Sequence, residues 1–490
     1  MSDLSSLVHT YFDLKRFWSD LMPPVGDQLA SISSNSSGSK TGTSAALIGS
    51  LGESGAREVL ILSPYFPPST MAGVHRARHL AKHLPAFGWK PVVVCVDESM
   101  HEHRLDPALA RLVPAETEIA KVRAISPRLT RLIGIGDISL RAWTYLRKTV
   151  FHLLEEKPIC VALITGAPCY PMLLTSEIKR RFDVPVILDF QDPWVSAWGA
   201  TQSSLSKAGL SHRLAKILEP RALHTADFVT SVSDTQNAQM VKRYPWLNQA
   251  RMAAIPIGGD LDDFVAMSNE RFGHEDALEA GFIHLSYVGT FLPRSEPLVR
   301  VLFRAFVRLR SGQPVVAQRI RLNFIGTSNQ PNGDDKFRVR PIAEAEGVDT
   351  AVHEIPERLP YLRALRSLVR SNGLLLIGSD EPHYTASKIY PALMSGRPYL
   401  SMFHRASSAH AILSSAGGGC TLAFESMQEL NALEAPLAEG LRTLALCPDS
   451  FGSADRTAYT PYEARNIAKR FADIFDHVAA SPRSQSTLRA

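Results

Sequence analysis

Short apolar runs recur along the chain from residue 58 onward, and each is followed by a loop and then by a stretch with apolar residues at helical spacing. Runs of this length are typical of strands that are buried on both faces of a parallel sheet. In the first half they predict strands at 59–62, 91–96, 160–164, 184–189 and 228–232. A helix is predicted from about Gly73 to Leu84, and the alternation of strands with helices indicates a doubly wound α/β domain.

The same pattern restarts in the second half of the chain. Residues 255–260 look like the exit from the first domain, and the charged stretch that follows, up to residue 280, reads as a loop. The later predictions are strands at 283–289, 320–326, 373–377 and 399–402, a helix at 298–309 and a long amphipathic helix at 462–479. Two such repeats predict two Rossmann-like domains that face a common cleft at the carboxyl ends of their strands, where ligands of open α/β sheets bind.

Composition narrows the class of protein. No apolar run approaches the roughly 18 to 20 residues that span a bilayer, and the N-terminus lacks the basic start and apolar stretch of a signal peptide. The five cysteines are odd in number and widely spaced, so we expect free, mostly buried thiols and neither disulfides nor a zinc site. The net charge of +5 suggests anionic partners. No nucleic-acid-binding signature accompanies it, so we expect a cytoplasmic protein that binds no nucleic acid.

The loop after the first strand excludes several nucleotide-binding classes. It reads SPYFPPSTMAG (63–73) and contains no G-x-G-x-x-G, whose glycines let a backbone approach a dinucleotide pyrophosphate. The chain also has neither a Walker A motif nor a G-x-S-x-G nucleophile elbow. The sequence therefore argues against an NAD or FAD enzyme and against a serine hydrolase.

Five segments, taken in order, resemble motifs of family-4 retaining glycosyltransferases of a bacterial polysaccharide-biosynthesis branch. They are SPYFPPSTMAGVHRARHLAKHLPAFGWKPVVV (63–94), ILDFQDPW (187–194), IPIGGDLDDF (255–264), YVGTFLPRSEP (287–297) and SKIYPALMSGRPYL (387–400). Each segment is a weak signal alone, whereas five in order are a strong one, and the resemblance covers about residues 56 to 480. The resemblance implies the GT-B fold, in which two Rossmann-like domains face each other and the last helix crosses back to the first domain.

The resemblance also implies how the domains divide the work. The nucleotide sugar, as a co-substrate, binds the C-terminal domain and the acceptor enters from the N-terminal domain, without a metal or other cofactor. The predicted segments are a flexible N-terminal extension containing a short amphipathic helix (1–55), the acceptor-side domain (56–262), the nucleotide-sugar domain (281–460), the crossover helix (461–480) and a flexible tail (481–490).

The expected donor site is built from a helix start and two cations. Gly73 opens a helix whose free N–H groups and dipole attract a diphosphate, although a glycine is also ordinary at a helix start. Arg294 and Lys388 are the expected diphosphate clamps, the alternatives being a solvated loop arginine and a surface lysine. The full set of expected donor-binding residues is Gly73, Gly289, Thr290, Arg294, Glu381, His383, Ser387 and Lys388.

The sequence departs from the family pattern at several of these positions. The two glutamates that the family often carries eight positions apart are His383 and Pro391 here, and proline offers neither a carboxylate nor an amide donor. Thr290 and Ser295 stand where the family's arginine and lysine follow the first strand of the second domain, and Gln191 replaces another arginine. Asp380, Glu381 and His383 are nearby substitutes for the missing carboxylates, or they form an ordinary polar loop.

Two residues are candidates for contact with the reacting groups. Asp192 follows a strand and is expected to orient the acceptor hydroxyl or accept its proton. The structural alternative is an N-cap, because Pro193 suits the first helical position. His75 faces the cleft if the helix starts at Gly73, and it is expected to contact the transferred sugar or a phosphate, unless it lies on the polar face of the helix.

A basic stretch at 121–148 suggests a membrane. It contains several arginines and lysines with Asp137 as the one acid, interleaved with aliphatic and aromatic residues. Such a surface suits docking to anionic lipid. The alternative is a helical pair packed on the first domain with an arginine-rich outer face. If the stretch docks, the protein lies peripherally on the inner face of the plasma membrane.

The resemblance and the residues together predict a retaining glycosyltransferase of cell-surface glycan biosynthesis. It moves a sugar from a nucleotide sugar to a hydroxyl of a lipid-linked or saccharide acceptor. In such retaining reactions the acceptor attacks the face that the leaving group vacates, so a protein nucleophile is not obligatory. The alternative is a non-catalytic GT-B protein that binds a partner or a glycan, and the missing glutamates favour it; an epimerase on this architecture has no support beyond the fold.

Overall fold

The structure, a computed structural model, describes residues 56–71, 73–273, 278–328, 336–381 and 387–480. The predicted N-terminal extension with its amphipathic helix, the predicted tail, and His383 lie outside the described residues.

The first sheet has seven parallel strands in the order β3-β2-β1-β4-β5-β6-β7. The strands are β1 (Arg57–Leu62), β2 (Trp89–Val96), β3 (Glu118–Val122), β4 (Ile159–Gly166), β5 (Val186–Phe190), β6 (Phe228–Ser231) and β7 (Met252–Ala254). All five strands predicted for this half are confirmed. The two that were not predicted, β3 and β7, are the edges of the sheet.

Helices cover this sheet as the alternating pattern predicts. They are α1 (Val74–His83), α2 (Pro107–Ala110), α3 (Pro127–Thr130), α4 (Ile138–Arg141), α5 (Trp143–Glu156), α6 (Thr175–Phe182), α7 (Ala197–Ala200), α8 (Lys207–Leu223) and α9 (Asp234–Arg243). In α1 the predicted apolar stripe is fully buried against the strands, and Gly73 is the N-cap.

The second sheet has six parallel strands in the order β10-β9-β8-β11-β12-β13. They are β8 (Ile283–Val288), β9 (Ile320–Ile325), β10 (Val352–Ile355), β11 (Gly373–Ile377), β12 (Tyr399–His404) and β13 (Gly419–Phe424). The four predicted strands are confirmed, and the two unpredicted ones, β10 and β13, are again the sheet edges.

The helices of the second half begin before its sheet. They are α10 (Leu261–Asn269), α11 (Glu296–Gly312), α12 (Pro314–Arg319), α13 (Arg340–Ala345), α14 (Tyr361–Arg370), α15 (Ile389–Met394), α16 (Ser408–Ala416), α17 (Met427–Ala432), α18 (Glu434–Leu446), α19 (Arg456–Tyr459) and α20 (Ala464–Ala480). The loop expected directly after residue 260 is wrong, because α10 forms there. Asp260 caps α10 by accepting from the amide of Asp262 at 3.1 Å, and Phe264 and Met267 pack against a core cluster of the second domain.

The last helix crosses back to the first domain, as the GT-B fold requires. Its apolar face, which includes Ile467, Phe471 and Phe475, is buried in the same core cluster as β1 and α1. The chain thus passes between the domains twice, at residues 255–260 and just before α20, and these two passages contact each other through a bridge between Gly259 and Glu463.

In each sheet, the strand order places two diverging loops at the middle of the edge formed by the carboxyl ends of the strands. In the first sheet the order reverses between β1 and β4, and in the second between β8 and β11. At such a switch point the loops leaving the two strands diverge to opposite faces and open a crevice. The loops that follow β1, β8 and β11 carry Gly73, Arg294 and Lys388, so the topology brings the main candidate residues to these crevices.

The five cysteines are free, as expected. The expectation that most of them are buried is wrong, because only Cys95 and Cys169 are buried, while Cys160 and Cys420 are partly buried and Cys447 is exposed. Within the described ranges, no helix is both long and apolar enough to cross a membrane.

Candidate functional site

A cavity of about 230 Å³ lies between the two domains at their switch points. The first domain lines it with Thr70, His75 and His79, and the second with the β8 loop, Arg358, Tyr361 and the start of α15. Of the predicted site residues, it brings together His75, Gly289, Thr290, Ser387 and Lys388. Gly73, Asp192, Arg294 and Glu381 are not among the described residues that line it.

Lys388 reaches across the cavity floor to the β8 loop. Its Nζ donates to the hydroxyl of Tyr287 and to the carbonyl of Thr290 at 3.3 Å, and it lies 3.9 Å from the centre of the Tyr287 ring. The amine therefore occupies the turn where the family's arginine would project from position 290.

The Lys388 amine has an unusual protonation equilibrium. Burial lowers the pKa of Lys388 to about 7, and no carboxylate contributes to offset that burial. An anion that enters the cavity stabilises the protonated amine, because its charge replaces the hydration that the amine loses on burial.

Gly289 has a backbone conformation that favours glycine. Its φ is +131°, a conformation that side-chain-bearing residues rarely adopt. Its amide donates to the Ile325 carbonyl at 2.8 Å, and a Cβ at this position would lie 3.5 Å from Nζ of Lys388. The turn therefore leaves its backbone open toward the amine and the cavity.

Arg294 has partners other than the predicted diphosphate. Its Nε donates to Asp380 at 2.7 Å and its Nη1 donates to Glu381, and all three side chains are at least one-third exposed. The hydrogen bond that Arg294 donates to Asp380, together with the charges of both acids, raises the pKa of Arg294. The two predicted donor-site residues Arg294 and Glu381 thus bind each other at the rim, and the group carries a net negative charge in this arrangement.

Two histidines one helical turn apart face the cavity from α1. Arg78 donates to Nδ1 of His75 at 3.3 Å and to Nε2 of His79 at 2.9 Å. Arginine has no acceptor, so both ring nitrogens must accept and each ring carries its proton on the other nitrogen. Burial, followed by the charge of Arg78, lowers the pKa of both histidines well below the usual range. Both rings are therefore neutral at neutral pH, and both residues line the cavity.

A buried ion network fixes this histidine pair. Arg78 binds Asp263 of α10 through two hydrogen bonds of 2.8 and 2.6 Å, and the Tyr361 hydroxyl donates to the same carboxylate at 2.9 Å. The Tyr361 ring lies 4.7 Å from that of His75. The contact joins α1 of the first domain to α14 of the second.

The same region contains side chains with metal-ligand geometry. His79 with Asp260 and Asp263, and His83 with Asp260 and Asp262, hold their ligand atoms close enough to share an ion. Protein side chains already engage these carboxylates, since Lys82 and His83 bind Asp260 at 2.9 and 2.8 Å while Arg78 binds Asp263. These ion pairs account for the cluster without a metal.

Gly73 and Gln191 are neighbours at the ends of α1 and β5. The side chain of Gln191 is buried, and its Nε2 donates to the Thr165 hydroxyl at 2.6 Å and to the Gly73 carbonyl at 3.3 Å. Gln191 therefore ties the start of α1 to two strand ends, in place of the arginine that the family carries.

Asp192 lies outside the cavity with an exposed side chain. The N-cap alternative is wrong, because the next helix starts at Ala197 and Ser196 caps it. Surrounding protein atoms nevertheless raise the pKa of the Asp192 carboxyl. A raised pKa suits a base near neutral pH, and a role for Asp192 stays a prediction.

The basic residues of the stretch at 121–148 form ion pairs with acids that lie outside this stretch in the sequence. Asp137 was expected to be the one opposing acid. Lys121 pairs with Glu98 at 2.8 Å, Arg131 with Glu102 at 2.8 Å, and Arg147 with Glu177 at 2.5 Å. Trp143 is buried in the core of the first domain. The stretch divides among β3, α3, α4 and α5, which agrees with the packed alternative better than with one continuous docking face, although docking itself stays a prediction.

The cavity residues that were missed from the sequence include His79, Arg358 and Tyr361. His79 was detectable, because an i, i+4 spacing from His75 puts both rings on one face of α1. Arg358 and Tyr361 follow the unpredicted edge strand β10, so no sequence signal placed them at the ligand edge.

Comparisons with known proteins agree with this geometry. Residues 72–258 match the family described as "Glycosyl transferase 4-like domain". A glycosyltransferase from Rickettsia africae is 12% identical, with 87% of this chain and 99% of that one covered and a TM-score of 0.53. The Anabaena protein HepE, solved with UDP and glucose, is 13% identical over 86% of this chain and 100% of its own, with a TM-score of 0.56.

A third structure, the trehalose-6-phosphate synthase OtsA, is 11% identical over 86% of this chain and 99% of its own, with a TM-score of 0.56. No curated protein sequence matches the chain significantly. At these identities the solved structures establish the fold, which is the predicted arrangement of two facing domains.

Proposed function

We propose that this chain, a GT-B-type glycosyltransferase with a glycosyl transferase 4-like domain at residues 72–258, transfers a sugar with retention. The donor is a nucleotide sugar and the acceptor group is a hydroxyl. The acceptor we propose is a lipid-linked or saccharide hydroxyl in cell-surface glycan biosynthesis. The match at residues 72–258 and the GT-B fold confirm the family resemblance predicted from the five sequence motifs.

The observation that carries the proposal is the Lys388 amine in the interdomain cavity. A nucleoside diphosphate leaves a sugar more readily when cations stabilise the developing charge on its phosphates. Lys388 supplies one such cation, and the neutral rings of His75 and His79 line the same cavity from the other domain.

The proposed reaction needs no protein nucleophile. The bond from the anomeric carbon to the phosphate oxygen breaks, and the acceptor oxygen forms a bond on the same face. The departing phosphate oxygen takes the acceptor proton. Lys388 stabilises the leaving diphosphate, while the neutral histidines orient the sugar and exclude water. The first donors to test are uridine diphosphate sugars, because HepE was solved with UDP.

Nucleoside diphosphates are expected to raise the melting temperature of the protein. A ligand that binds only the native state at 100 times its Kd stabilises it by about 2.7 kcal/mol. Differential scanning fluorimetry with uridine, guanosine, adenosine and thymidine diphosphates at millimolar concentration measures this, with the free nucleosides as the control. A melt that none of the four diphosphates shifts would contradict the donor site.

Binding of the diphosphate is expected to weaken as the pH rises above 7. The free amine of Lys388 loses its proton near pH 7, so at higher pH binding must also recover a proton. The affinity then falls by up to about tenfold per pH unit, the limit for one proton. Calorimetry from pH 7.5 to 9.5 avoids the phosphate's own ionisation near pH 6. A slope that is equally steep in Lys388→Ala would assign the effect to another group.

One observation favours the non-catalytic alternative. Pro391 replaces a family glutamate, and the nearby acids Asp380 and Glu381 are engaged by Arg294. A GT-B protein that binds a glycan or a partner without transfer would have the same melting temperature with and without nucleoside diphosphates. It would also release no nucleoside diphosphate from any donor. Screening diphosphate release across a donor panel separates the two functions.

A further inference from the structure

Two helices of the first domain leave large apolar side chains in solvent. The α7–α8 hairpin, residues 197–223, exposes Trp198 by 58%, Leu205 by 85%, Leu210 by 51% and Ile217 by 45%. The hairpin is well packed on its inner side, where Ala215, Leu218 and Ala222 are buried. At Gly209 an added Cβ would lie 2.0 Å from the carbonyl oxygen of Ser203, so the turn before α8 requires glycine.

The exposed residues of α8 share one face. Leu210 and Ile217 are seven residues apart and therefore lie two turns along the same stripe, with the partly buried Leu214 between them. Since a neighbouring face packs Ala215, Leu218 and Ala222 into the domain, α8 is apolar on two sides. Only one of these sides has a partner among the described residues.

The charge around this stripe has one sign. From Pro193 to Leu218 the sequence contains no aspartate or glutamate, while Lys207, Arg213 and Lys216 are exposed beside the stripe. Within the described part of the chain none of these three cations forms an ion pair. The next acid, Glu219, is buried and binds Arg243 at 2.9 Å and the amide of Val195 at 3.0 Å, so its charge faces inward.

We infer that the α7–α8 hairpin docks the protein on an anionic lipid bilayer. An exposed stripe of leucine and isoleucine on α8, flanked by long basic side chains, matches a helix that lies in the membrane interface. The apolar residues enter the acyl boundary, and the cations meet the lipid phosphates. By contrast, the basic residues at 121–148 are interspersed with Glu98, Glu102 and Glu177, which repel the same lipids.

The hairpin is also well placed for an acceptor that resides in the membrane. It follows β5, whose end contacts the start of α1 through Gln191. A bilayer on the hairpin thus lies beside the acceptor-side domain at the rim of the cleft. This orientation rests on the proposed function, whereas the docking itself does not and is measured without any donor.

The test is sedimentation of the full chain with lipid vesicles. Vesicles of phosphatidylcholine with phosphatidylglycerol are expected to sediment the protein, and phosphatidylcholine alone much less. Raising the salt from about 0.1 M to about 1 M shortens the screening length to roughly 3 Å and should weaken the binding. Equal sedimentation with both vesicle types, or none with either, would overturn the inference.

Variants identify the surface. Leu210→Ser combined with Ile217→Ser is expected to weaken partitioning at least about tenfold, because burial of even one aliphatic side chain is worth about that ratio. The matched control is Leu132→Ser with Val315→Ser, which removes two even more exposed aliphatic residues from elsewhere, one of them in the 121–148 stretch. Both variants change exposed positions, and melting curves check that they fold.

Three results would overturn the assignment. The first is an equal loss of binding in both variants. The second is a loss in the control alone, which would move the surface to residues 121–148. The third is a wild-type dimer in size-exclusion chromatography that Leu210→Ser with Ile217→Ser dissociates, which would make a second copy of the chain the occupant.

Discussion

Lys388→Ala is expected to slow sugar transfer about a hundredfold, which corresponds to a loss of roughly 3 kcal/mol of transition-state stabilisation. The amine lies at the N-cap of α15, where the helix dipole disfavours a cation, and burial lowers its pKa to about 7. A lysine kept in a position that costs stability is most simply explained by an anionic ligand. Its removal should therefore harm transfer and leave the melting temperature equal or higher.

Three variants separate the charge from the packing. Lys388→Met keeps the aliphatic stem and should be as slow as Lys388→Ala. Lys148→Ala removes an exposed lysine of the first domain and should transfer at the wild-type rate. Turnover with the identified donor is compared with melts of all four proteins. Wild-type turnover in a Lys388→Ala protein that melts normally would withdraw Lys388 from the donor site.

The strands that sequence patterning missed are all at sheet edges. Interior strands such as β1 and β11 are almost wholly buried, so they appear in the sequence as continuous apolar runs. The edge strands β3 (EIAKV) and β10 (VHEI) carry charged residues and are only partly buried. Edge strands tolerate such residues because one side of the strand faces solvent. Without a continuous apolar run, an edge strand cannot be distinguished from a loop in the sequence.

The site was predictable where it depends on local sequence and not where it depends on pairing. Gly289 and Lys388 belong to local motifs, and the fold brings both to the cavity. Arg294 belongs to such a motif too, but its partners Asp380 and Glu381 are 86 and 87 residues away. Only the alignment of the β8 and β11 loops at the switch point reveals that these charges meet.

Stability should depend strongly on a second buried pair, Arg76 and Asp189. Both side chains are fully buried, and Nε of Arg76 lies 3.0 Å from the carboxylate. Asp189 also accepts from the hydroxyls of Thr165 and Thr230 at 2.8 Å each. Arg76 further donates to the carbonyls of Ile255 and Pro256, so it fixes α1 to the interdomain passage.

Arg76→Ala is expected to destabilise the first domain by about 3 to 5 kcal/mol, because it leaves a buried carboxylate without its counter-charge. For a domain of this size that lowers the melting temperature by roughly 10 °C. The control is Lys469→Ala on α20, whose pair with Asp473 at 3.0 Å is more than half exposed. Such a surface pair is worth at most about 1 kcal/mol, so the control should melt within a few degrees of wild type.

A double variant tests whether the loss comes from charge or from packing. Arg76→Met with Asp189→Asn removes both charges and keeps most of the volume, and the amide can still bond the two threonine hydroxyls. If the uncompensated carboxylate causes the loss, the double variant should melt well above Arg76→Ala, since replacing both partners of a buried pair costs little. If the double variant melts as low as Arg76→Ala, the hydrogen bonds from Arg76 to residues 255 and 256 stabilise the domain, and the ion pair itself contributes little.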